Sequence, residues 1–368
     1  MLKANSRIPS LQAQMQWISG KPQTSSTSLS RMLYDFNNMN NTLNLETGFL
    51  PGVIEVATAQ QESTICDTQT GEWILFFNGN YIYDRFSNVV NTDNKLDTLQ
   101  NSSLTSIIAP SYASTIPTYY VFYVDNSTKH LNYGIVNFPA GINNAANWVG
   151  IQSLESSNGK ATPFGLACRN EEEYWLLTLA NVNTLVAFKC DRTGVNSSTP
   201  VHIMLQPFAG LTGDVDCTKS SIVTFGDKIA ITVNNNIMIG EFNFKSGFTI
   251  PAFSQAMVAQ ATVTLTPDFN ASATHLYFLK AADGLKKNHV WVYELKSGAS
   301  YSADSSYIYN YQYKSLKLSP GGDLYGNNVF SSSTHPILKI EEIPETGAVS
   351  VSEIILPAVN SSNTFGNI

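Results

Sequence analysis

The chain has little charge and no cluster of basic residues. Only 13% of its 368 residues are Asp, Glu, Lys or Arg, about half the usual share, and the formal net charge is −7. Polarity comes instead from Asn, Ser and Thr, and 35 residues are Asn. Because nucleic-acid binding needs a cationic surface, we predict that the protein does not bind nucleic acid.

Long apolar runs are also absent. No stretch of about 18 apolar residues occurs, which excludes a transmembrane helix. Residues 1–20 hold no apolar run as long as that of a signal peptide. We therefore predict no membrane insertion and no cleaved leader. A surface rich in amides and hydroxyls is common in exported and virion proteins, so we favour a virion or the cell surface over the cytoplasm.

Cysteine and histidine are scarce. The chain has four cysteines without a CxxC spacing, and five histidines, so we expect buried free thiols, no metal and no cofactor. Two weaker alternatives for a metal site stay open. His275 and His289 begin consecutive strands of one hairpin and could approach each other. Asp214 and Asp216 follow a glycine in a polar loop, where carboxylates could hold a cation.

Signatures of catalysis are missing too. The sequence has no GxSxG elbow, no P-loop and no GxGxxG followed by a helix. The densest acidic run, residues 171–173, precedes an aromatic strand, where a solvated loop is expected. Asp67, Asp84, Asp125 and Asp191 stand near strand ends, as turn-capping side chains do. We therefore predict that the protein is not an enzyme.

What the chain does contain is a strand–turn–strand unit that recurs about every 50 residues. Its aromatic-rich strand begins at intervals of 46 to 55 residues, at positions 73, 119, 174, 228, 275 and 323. An apolar strand precedes each one, and a third strand follows after a polar turn such as that of Asn78 and Gly79. Helical periodicity is weak and confined to residues 254–260 and the first 30 residues. A fixed period of this size predicts the blades of a β-propeller.

Six such units leave two β-like segments without partners, residues 32–36 with 42–46 at the front and residues 349–356 at the back. A propeller commonly closes its ring with a blade built from both chain ends, because this removes an open sheet edge. We therefore predict an all-β fold, a β-propeller of seven blades of about 50 residues, with the ring closed by N- and C-terminal strands. The propeller would span residues 31–357, between an irregular or partner-ordered arm (residues 1–30) and a tail (residues 358–368).

Three segments of the chain resemble the propeller region of large Bacteroidetes surface proteins. Residues 71–90, 104–138 and 161–195 follow one another with the strand patterns of that family, and residues 318–325 keep its Ser-Pro turn before a Leu-Tyr strand. The resemblance covers about residues 50–345 and implies a propeller in a surface-associated bacterial protein. The leader and the adhesion and sorting modules of that family are missing, which is compatible with a phage that infects such hosts.

A run of tyrosines between the fifth and sixth units is the best candidate for a contact surface. The run consists of Tyr301, Tyr307, Tyr309, Tyr311 and Tyr313. The last four alternate with other residues, so a strand would present them on one face, and tyrosine gives a large contact area at low entropy cost. The alternative is ordinary packing between blades. We predict protein partners at this run or at the N-terminal arm, with a surface glycan as the second kind of ligand.

These observations together predict a non-catalytic propeller that acts as a structural or recognition module, in a phage virion component or a surface-associated bacterial protein. Two alternatives stay open. One is a glycan-active propeller enzyme with an axial site, which would need two carboxylates about 5 to 10 Å apart. The other is a cytoplasmic scaffold for protein interactions. Acidic residues on the strands that line the axis would favour the enzyme.

Overall fold

The structure is a computed structural model in which most of the chain from residue 63 onward is described. The described residues are 16–19, 32–35, 44–46, 63–67, 73–98, 106–154, 163–168, 173–216, 219–234, 236–249, 256–260, 266–281, 288–303, 313–319, 322–328, 335–343 and 348–356. In these ranges the regular structure is β-strand, apart from one 3-10 turn at Gln206–Phe208. None of the described segments is a helix long and apolar enough to cross a membrane.

The described strands form seven antiparallel sheets, each made from one stretch of the chain. The first contains β1 (Gln16–Ser19), β2 (Met32–Asp35) and β3 (Asn44–Glu46). The second contains β4 (Ser63–Cys66), β5 (Trp73–Phe77) and β6 (Ile82–Asp84). The third contains β7 (Ile107–Pro110), β8 (Thr118–Val124), β9 (Leu131–Asn137) and β10 (Asn147–Leu154).

The remaining four sheets follow in the same manner along the chain. The fourth contains β11 (Phe164–Cys168), β12 (Tyr174–Asn181), β13 (Thr184–Asp191), β14 (Gly194–Val195) and β15 (Val201–Met204). The fifth contains β16 (Ser221–Phe225), β17 (Lys228–Val233), β18 (Asn236–Asn243), β19 (Phe248–Thr249) and β20 (Ala256–Gln260). The sixth contains β21 (Asp268–Phe269), β22 (His275–Ala281), β23 (Asn288–Glu294) and β24 (Ser300–Ser302). The seventh contains β25 (Tyr313–Leu318), β26 (Leu324–Asn328), β27 (His335–Ile343) and β28 (Ala348–Leu356).

Strands within a sheet pair in chain order. In the fourth and fifth sheets the last position is shared by two short strands, because β14 and β15 both pair with β13, and β19 and β20 both pair with β18. The outer strand of these sheets is therefore interrupted. A short or interrupted outer strand offers less unpaired backbone to other chains, which limits edge-to-edge aggregation.

The predicted repeat is confirmed. The second strands of the second to seventh sheets begin within one residue of the predicted positions, at Trp73, Thr118, Tyr174, Lys228, His275 and Leu324. All five residues of β5 are buried, as expected for a middle strand that is covered on both faces. A short continuous apolar run is the sequence signature of such a strand.

The hydrophobic core lies in layers between successive sheets. The rings of Phe77 and Tyr123 meet between the second and third sheets, with centroids 6.2 Å apart. Phe122 and Leu176 belong to the layer between the third and fourth sheets, and further layers follow as far as the seventh sheet. First strands of neighbouring sheets lie side by side, as β4 and β7 do. The predicted fold class, an all-β propeller, is confirmed.

The arrangement of the chain ends differs from the prediction in one respect. The C-terminal strand was expected to share a blade with the N-terminal strands. Instead β28 pairs with β27 along its whole length, while β1, β2 and β3 form a sheet of their own. The reason is local, because residues 344–347 alone connect β27 to β28, and closing so short a loop costs little entropy.

Two further predictions concern residues that the structure describes. The weak helical pattern at residues 254–260 does not correspond to a helix. Ala256–Gln260 is the strand β20, because its pairing with β18 overrides the local pattern. The predicted arm contains β1, which pairs with β2. The rest of residues 1–30 and the tail at residues 358–368 lie outside the described residues.

Apart from β28, which residues 349–356 indicated, the fourth strands are elements that the sequence analysis missed. Three of them, β14, β19 and β24, begin at or just after a Thr-Gly or Ser-Gly pair. The glycines, Gly194, Gly247 and Gly298, have φ of 101°, 73° and 71°, a left-handed conformation that glycine adopts without steric cost. A Ser-Gly or Thr-Gly pair one or two residues after a third strand is therefore the signal that would have placed these fourth strands.

Candidate functional site

A polar cluster lies where the sixth sheet faces the seventh. Antiparallel pairing aligns Tyr277 of β22, Val292 of β23 and Tyr301 of β24 in one row across the sixth sheet. His275 and Glu294 pair two residues further along. Residues that pair across strands share a face of the sheet, as do residues two apart on a strand. Since Tyr277 and Val292 pack with side chains of β27, this face is the one toward the seventh sheet.

Glu342 on β27 is the residue of the seventh sheet that meets this face. The Tyr277 hydroxyl donates a hydrogen bond to Glu342 Oε1 at 2.5 Å. The Asn270 amide donates to the two carboxylate oxygens at 3.0 and 2.9 Å. His275 Nδ1 lies 3.4 Å from Oε1. These contacts fix the orientation of the carboxylate, while 32% of the Glu342 side chain stays accessible to solvent.

Asn270 is fixed by the turn between β21 and β22. Its Oδ1 accepts the backbone N–H groups of Thr274 and His275 at 2.9 and 3.0 Å, which sets the orientation of the amide. Its Nδ2 then faces Ser272 Oγ and Thr274 Oγ1, both at 2.9 Å, in addition to the Glu342 carboxylate. An amide nitrogen has two N–H donors, so it shares them among these acceptors. The hydroxyls of Ser272 and Thr274, 2.8 Å apart, can donate as well.

The surroundings disfavour ionisation of both tyrosines. Burial, and then the hydrogen bond to Glu342 and its charge, raise the pKa of Tyr277 well above the usual value, so its hydroxyl remains a donor. Burial, and then the charges of Glu294 and Glu342, raise the pKa of Tyr301. Tyr301 is nevertheless 42% exposed. We call Tyr301, Glu294, His275 and Glu342 the Tyr301 patch.

The Tyr301 patch combines an exposed ring with a carboxylate in a fixed position. Its members stand on strands of two packed sheets and not on long loops, which limits the entropy lost when a ligand binds. Tyr277 lies behind the patch and is fully buried, so it can position Glu342 but cannot touch a ligand. An apolar surface with a few oriented polar groups is typical of a binding site.

The predicted tyrosine run is only partly within the described residues. Tyr301 lies on β24, the outer strand of the sixth sheet, and Tyr313 lies on β25, the first strand of the seventh. Tyr307, Tyr309 and Tyr311 lie outside the described residues. The run as a contact surface stays a prediction, and Tyr301 is the member whose surroundings the structure defines.

The two aspartates considered for a metal have other contacts. The Asp216 carboxylate lies 3.0 Å from Lys219 Nζ, and its backbone N–H donates to Asn234 Oδ1 at 2.8 Å. Asp214 interacts with Asn234 through its backbone carbonyl, which accepts from Nδ2 at 3.5 Å. Across the part of the chain that the structure describes, no three His, Cys, Asp or Glu side chains are grouped to hold a metal.

The two histidines considered for a metal lie at opposite ends of one hairpin. His275 pairs with Glu294, whereas His289 pairs with Lys280. Five residues of β22 separate the two pairs along the sheet, which is about 16 Å at the usual rise per residue. The prediction that they could approach each other is therefore wrong, and His275 belongs to the Tyr301 patch.

Three of the aspartates near strand ends are turn caps, as predicted. Asp84 Oδ1 accepts backbone N–H groups of residues 86 and 88, at 3.0 and 2.9 Å. Asp125 Oδ1 accepts those of residues 127 and 128, at 3.0 and 2.8 Å. Asp191 Oδ1 accepts that of residue 193 at 2.8 Å. These carboxylates stabilise local turns, which is their ordinary role at such positions.

The first strands of the sheets contain one acidic residue within the ranges described, Asp268 on β21. Its Oδ1 accepts the backbone N–H of Phe269 at 2.9 Å, and its Oδ2 accepts that of Leu318 at 2.8 Å. Asp268 is almost fully buried. Oδ2 therefore connects the first strands of the sixth and seventh sheets, while Oδ1 is bound within its own strand.

The thiols behave as predicted where they are described. Cys66 and Cys190 are free and buried. Burial raises the pKa of the Cys190 thiol, so it is a weak nucleophile. Cys217 lies outside the described residues.

Sequence reasoning missed Glu342, Asn270 and Glu294. Glu342 is 65 residues from Tyr277 and 72 from Asn270, so no local pattern connects them. One local signal was available. Asn270 is followed two and four residues later by Ser272 and Thr274, a composition typical of a tight turn stabilised by its own side chains.

No family model and no curated protein matches the chain. Distant similarity exists to solved structures of all-β, propeller-like proteins. A candidate 6-phosphogluconolactonase from Bacteroides fragilis is 10% identical with a TM-score of 0.47, over 96% of this chain and 98% of that one. Another from Bacteroides uniformis is 13% identical with a TM-score of 0.41, over 94% and 83%. An apocarotenoid oxygenase from Synechocystis is 9% identical with a TM-score of 0.37, over 80% and 70%.

These similarities carry no argument about activity, because the identities are low and the TM-scores are below 0.5. None of the three structures is described as a surface protein of the kind that the sequence resembles. That finer resemblance therefore stays a prediction.

Proposed function

We propose that the chain is a non-catalytic β-propeller that serves as a rigid structural and recognition module, and that a protein partner binds it at the Tyr301 patch. The observation that carries this proposal is the exposed ring of Tyr301, which shares a sheet face with Tyr277, the donor to the fixed carboxylate of Glu342. Aromatic residues are enriched at the centres of protein interfaces, where they bury a large area at low entropy cost.

The strands nearest the axis support a binding role over a catalytic one. Glycoside hydrolysis uses two carboxylates about 5 to 10 Å apart. The described first strands supply Asp268, and both of its oxygens accept backbone hydrogen bonds. A glycan-active enzyme would need acidic groups from elsewhere in the chain.

We further propose that the module works in a phage virion or on a bacterial surface. The low charge, the 35 asparagines and the resemblance to Bacteroidetes surface proteins support this setting. Quantitative mass spectrometry of purified particles, envelopes and cytosol from the source tests it. Recovery in constant ratio with capsid or tail proteins would support the virion. Recovery in the cytosol alone would refute both settings.

The binding surface is tested by affinity purification from the same source with three forms of the chain. These are the wild type, Tyr301→Ala and the matched control Phe86→Ala, which removes an aromatic side chain that is 51% exposed at a different surface. We expect a partner in constant ratio that is lost with Tyr301→Ala and kept with Phe86→Ala. A partner that both variants retain would contradict the proposed surface.

A further inference from the structure

We infer that the Tyr301 patch accepts a cationic side chain of the partner, an arginine or a lysine. This inference rests on the proposed function and adds the chemistry of the ligand. It depends on two features of the patch: an exposed aromatic face and two carboxylates close to it in the fold.

The aromatic face comes first. A guanidinium or ammonium group over a tyrosine ring is attracted by the negative face of the ring. Tyr301 is 42% exposed and stands on the outer strand of its sheet, so a partner can reach it. The same chain shows this contact elsewhere, since Lys280 Nζ lies 4.6 Å from the ring centroid of Trp291.

The two carboxylates come from different sheets. Glu294 is two residues beyond Val292, the cross-strand partner of Tyr301, and is therefore its diagonal neighbour on the same face. Ser297 Oγ donates to Glu294 Oε2 at 2.6 Å and orients that side chain. Glu342 reaches the patch from the seventh sheet. The effect of both charges on the pKa of Tyr301 agrees with this placement.

The carboxylates also favour one kind of charged ligand. A guanidinium group brings five N–H donors in a planar arrangement that suits a carboxylate. An anionic ligand would be repelled by the two carboxylates of the patch.

The charged groups nearest the patch include two lysines, which do not cancel the negative charge of its two carboxylates. Lys339 is on β27 but pairs with Asp323 and Glu341, at 3.0 and 3.3 Å, because its side chain alternates to the opposite face from Glu342. Lys296 lies in the exposed turn next to Glu294. The test is run at about pH 8.

The inference is tested by NMR on the full chain with ring-labelled tyrosine, with the Tyr301 signal assigned from Tyr301→Phe. The probes are acetyl-Gly-Arg-Gly-Arg-Gly-amide, the same peptide with Glu for Arg, and maltotriose as a neutral sugar. We expect the arginine peptide alone to shift the Tyr301 signal to saturation. Glu294→Gln and Glu342→Gln should each weaken binding by about 1.5- to 5-fold, as expected for one accessible ion pair.

Two controls separate a local effect from the net charge. Asp93→Asn removes a carboxylate from an exposed turn of the second sheet and should leave binding unchanged. Raising the salt from about 50 to about 500 mM should weaken the wild type more than the double Gln variant. Glu342→Gln keeps an oxygen that can accept from Tyr277, and Glu294→Gln lies away from that contact, so one variant remains informative if the other folds poorly.

The inference is overturned if the two Gln variants bind the arginine peptide as the wild type does, if the glutamate peptide binds equally, or if maltotriose alone shifts Tyr301. The proposed function is separable from these outcomes. A natural partner that is lost with Tyr301→Ala but kept with both Gln variants would refute the cationic ligand and would still support the proposed binding surface. A partner that is kept with Tyr301→Ala would refute the surface itself.

Discussion

Tyr277→Phe is expected to weaken the connection between the sixth and seventh sheets at one defined atom. The substitution keeps the ring in the core and removes the hydroxyl that donates to Glu342 at 2.5 Å. A hydrogen bond to a charged group contributes about 1.5 to 3 kcal/mol. Because Glu342 keeps the donor of Asn270 and is partly exposed, we expect a loss in the lower half of that range, about 1.5 to 2 kcal/mol.

A double-mutant cycle assigns this loss to the pair. Tyr277→Phe, Glu342→Ala and the double variant are compared with the wild type by urea unfolding, followed by tryptophan fluorescence and far-UV circular dichroism together. If the hydroxyl acts mainly through Glu342, the sum of the two single losses in unfolding free energy exceeds the loss in the double variant. We expect a coupling free energy of about 1 to 2 kcal/mol.

The control pair uses Tyr293→Phe. Tyr293 lies on β23 of the same sheet, but its side chain packs toward the fifth sheet, on the face away from Glu342. Tyr293→Phe and Glu342→Ala should therefore be additive. A coupling below about 0.5 kcal/mol for the Tyr277 pair would equal the scatter of independent sites and refute the idea that this bond connects the two sheets.

Three further predictions concern the backbone, the pH and the amide behind Glu342. Gly247→Ala should cost about 2 to 4 kcal/mol, because φ is +73° and a Cβ would lie 2.5 Å from the Trp175 ring. Gly141→Ala, with φ of +92° and open space, should cost only about 1 to 2 kcal/mol in the same unfolding assay, and equal costs would contradict the clash. Burial raises the pKa of several tyrosines to about 12; these are Tyr119, Tyr123, Tyr133 and Tyr325. As the pH rises, the unfolded chain releases these protons first. The free energy of unfolding is therefore unaffected below about pH 10 and falls as the pH rises to about 12. The loss is up to about 1 kcal/mol per pH unit for each tyrosine after allowance for solvent screening. Tyrosinate absorbance and circular dichroism should therefore change together as the pH rises. If these tyrosines ionise near pH 10 while the circular dichroism stays that of the folded protein, their burial is contradicted. Asn270→Asp should lower stability at neutral pH by about 2 to 4 kcal/mol, because it sets a carboxylate against Glu342, and the loss should shrink near pH 4; an equal loss at both pH values would exclude charge repulsion.

Much of the fold could be predicted because its main signal is local and repeated. The second strands are covered on both faces, so each appears as a short apolar and aromatic run whose position can be read to within one residue. Most outer strands escaped prediction because they are exposed or interrupted. In β10 the side chains of Val149 and Ile151 face solvent, so the strand shows no buried pattern to detect.

The candidate site could be predicted only in part. Tyr301 was found because it belongs to a run of five tyrosines between two repeats, and tyrosine is typical of contact surfaces. Glu342 and Asn270 were not found, because their role depends on the contact between two sheets whose residues are 65 to 72 positions apart. A carboxylate at the end of a strand looks the same in sequence whether it meets water or a buried hydroxyl.

The way the sheets divide the chain has a consequence for how such a protein can evolve. Every described sheet comes from one continuous segment, and among the described strands none from one end of the chain joins a sheet from the other end. A duplication or deletion of one segment of about 50 residues would therefore add or remove a whole sheet without breaking a hydrogen-bonded ladder. The new sheet would need only two faces that match its neighbours, since the hydrophobic layers lie between sheets. A ring with a blade shared between its ends would have to preserve both halves through every such event.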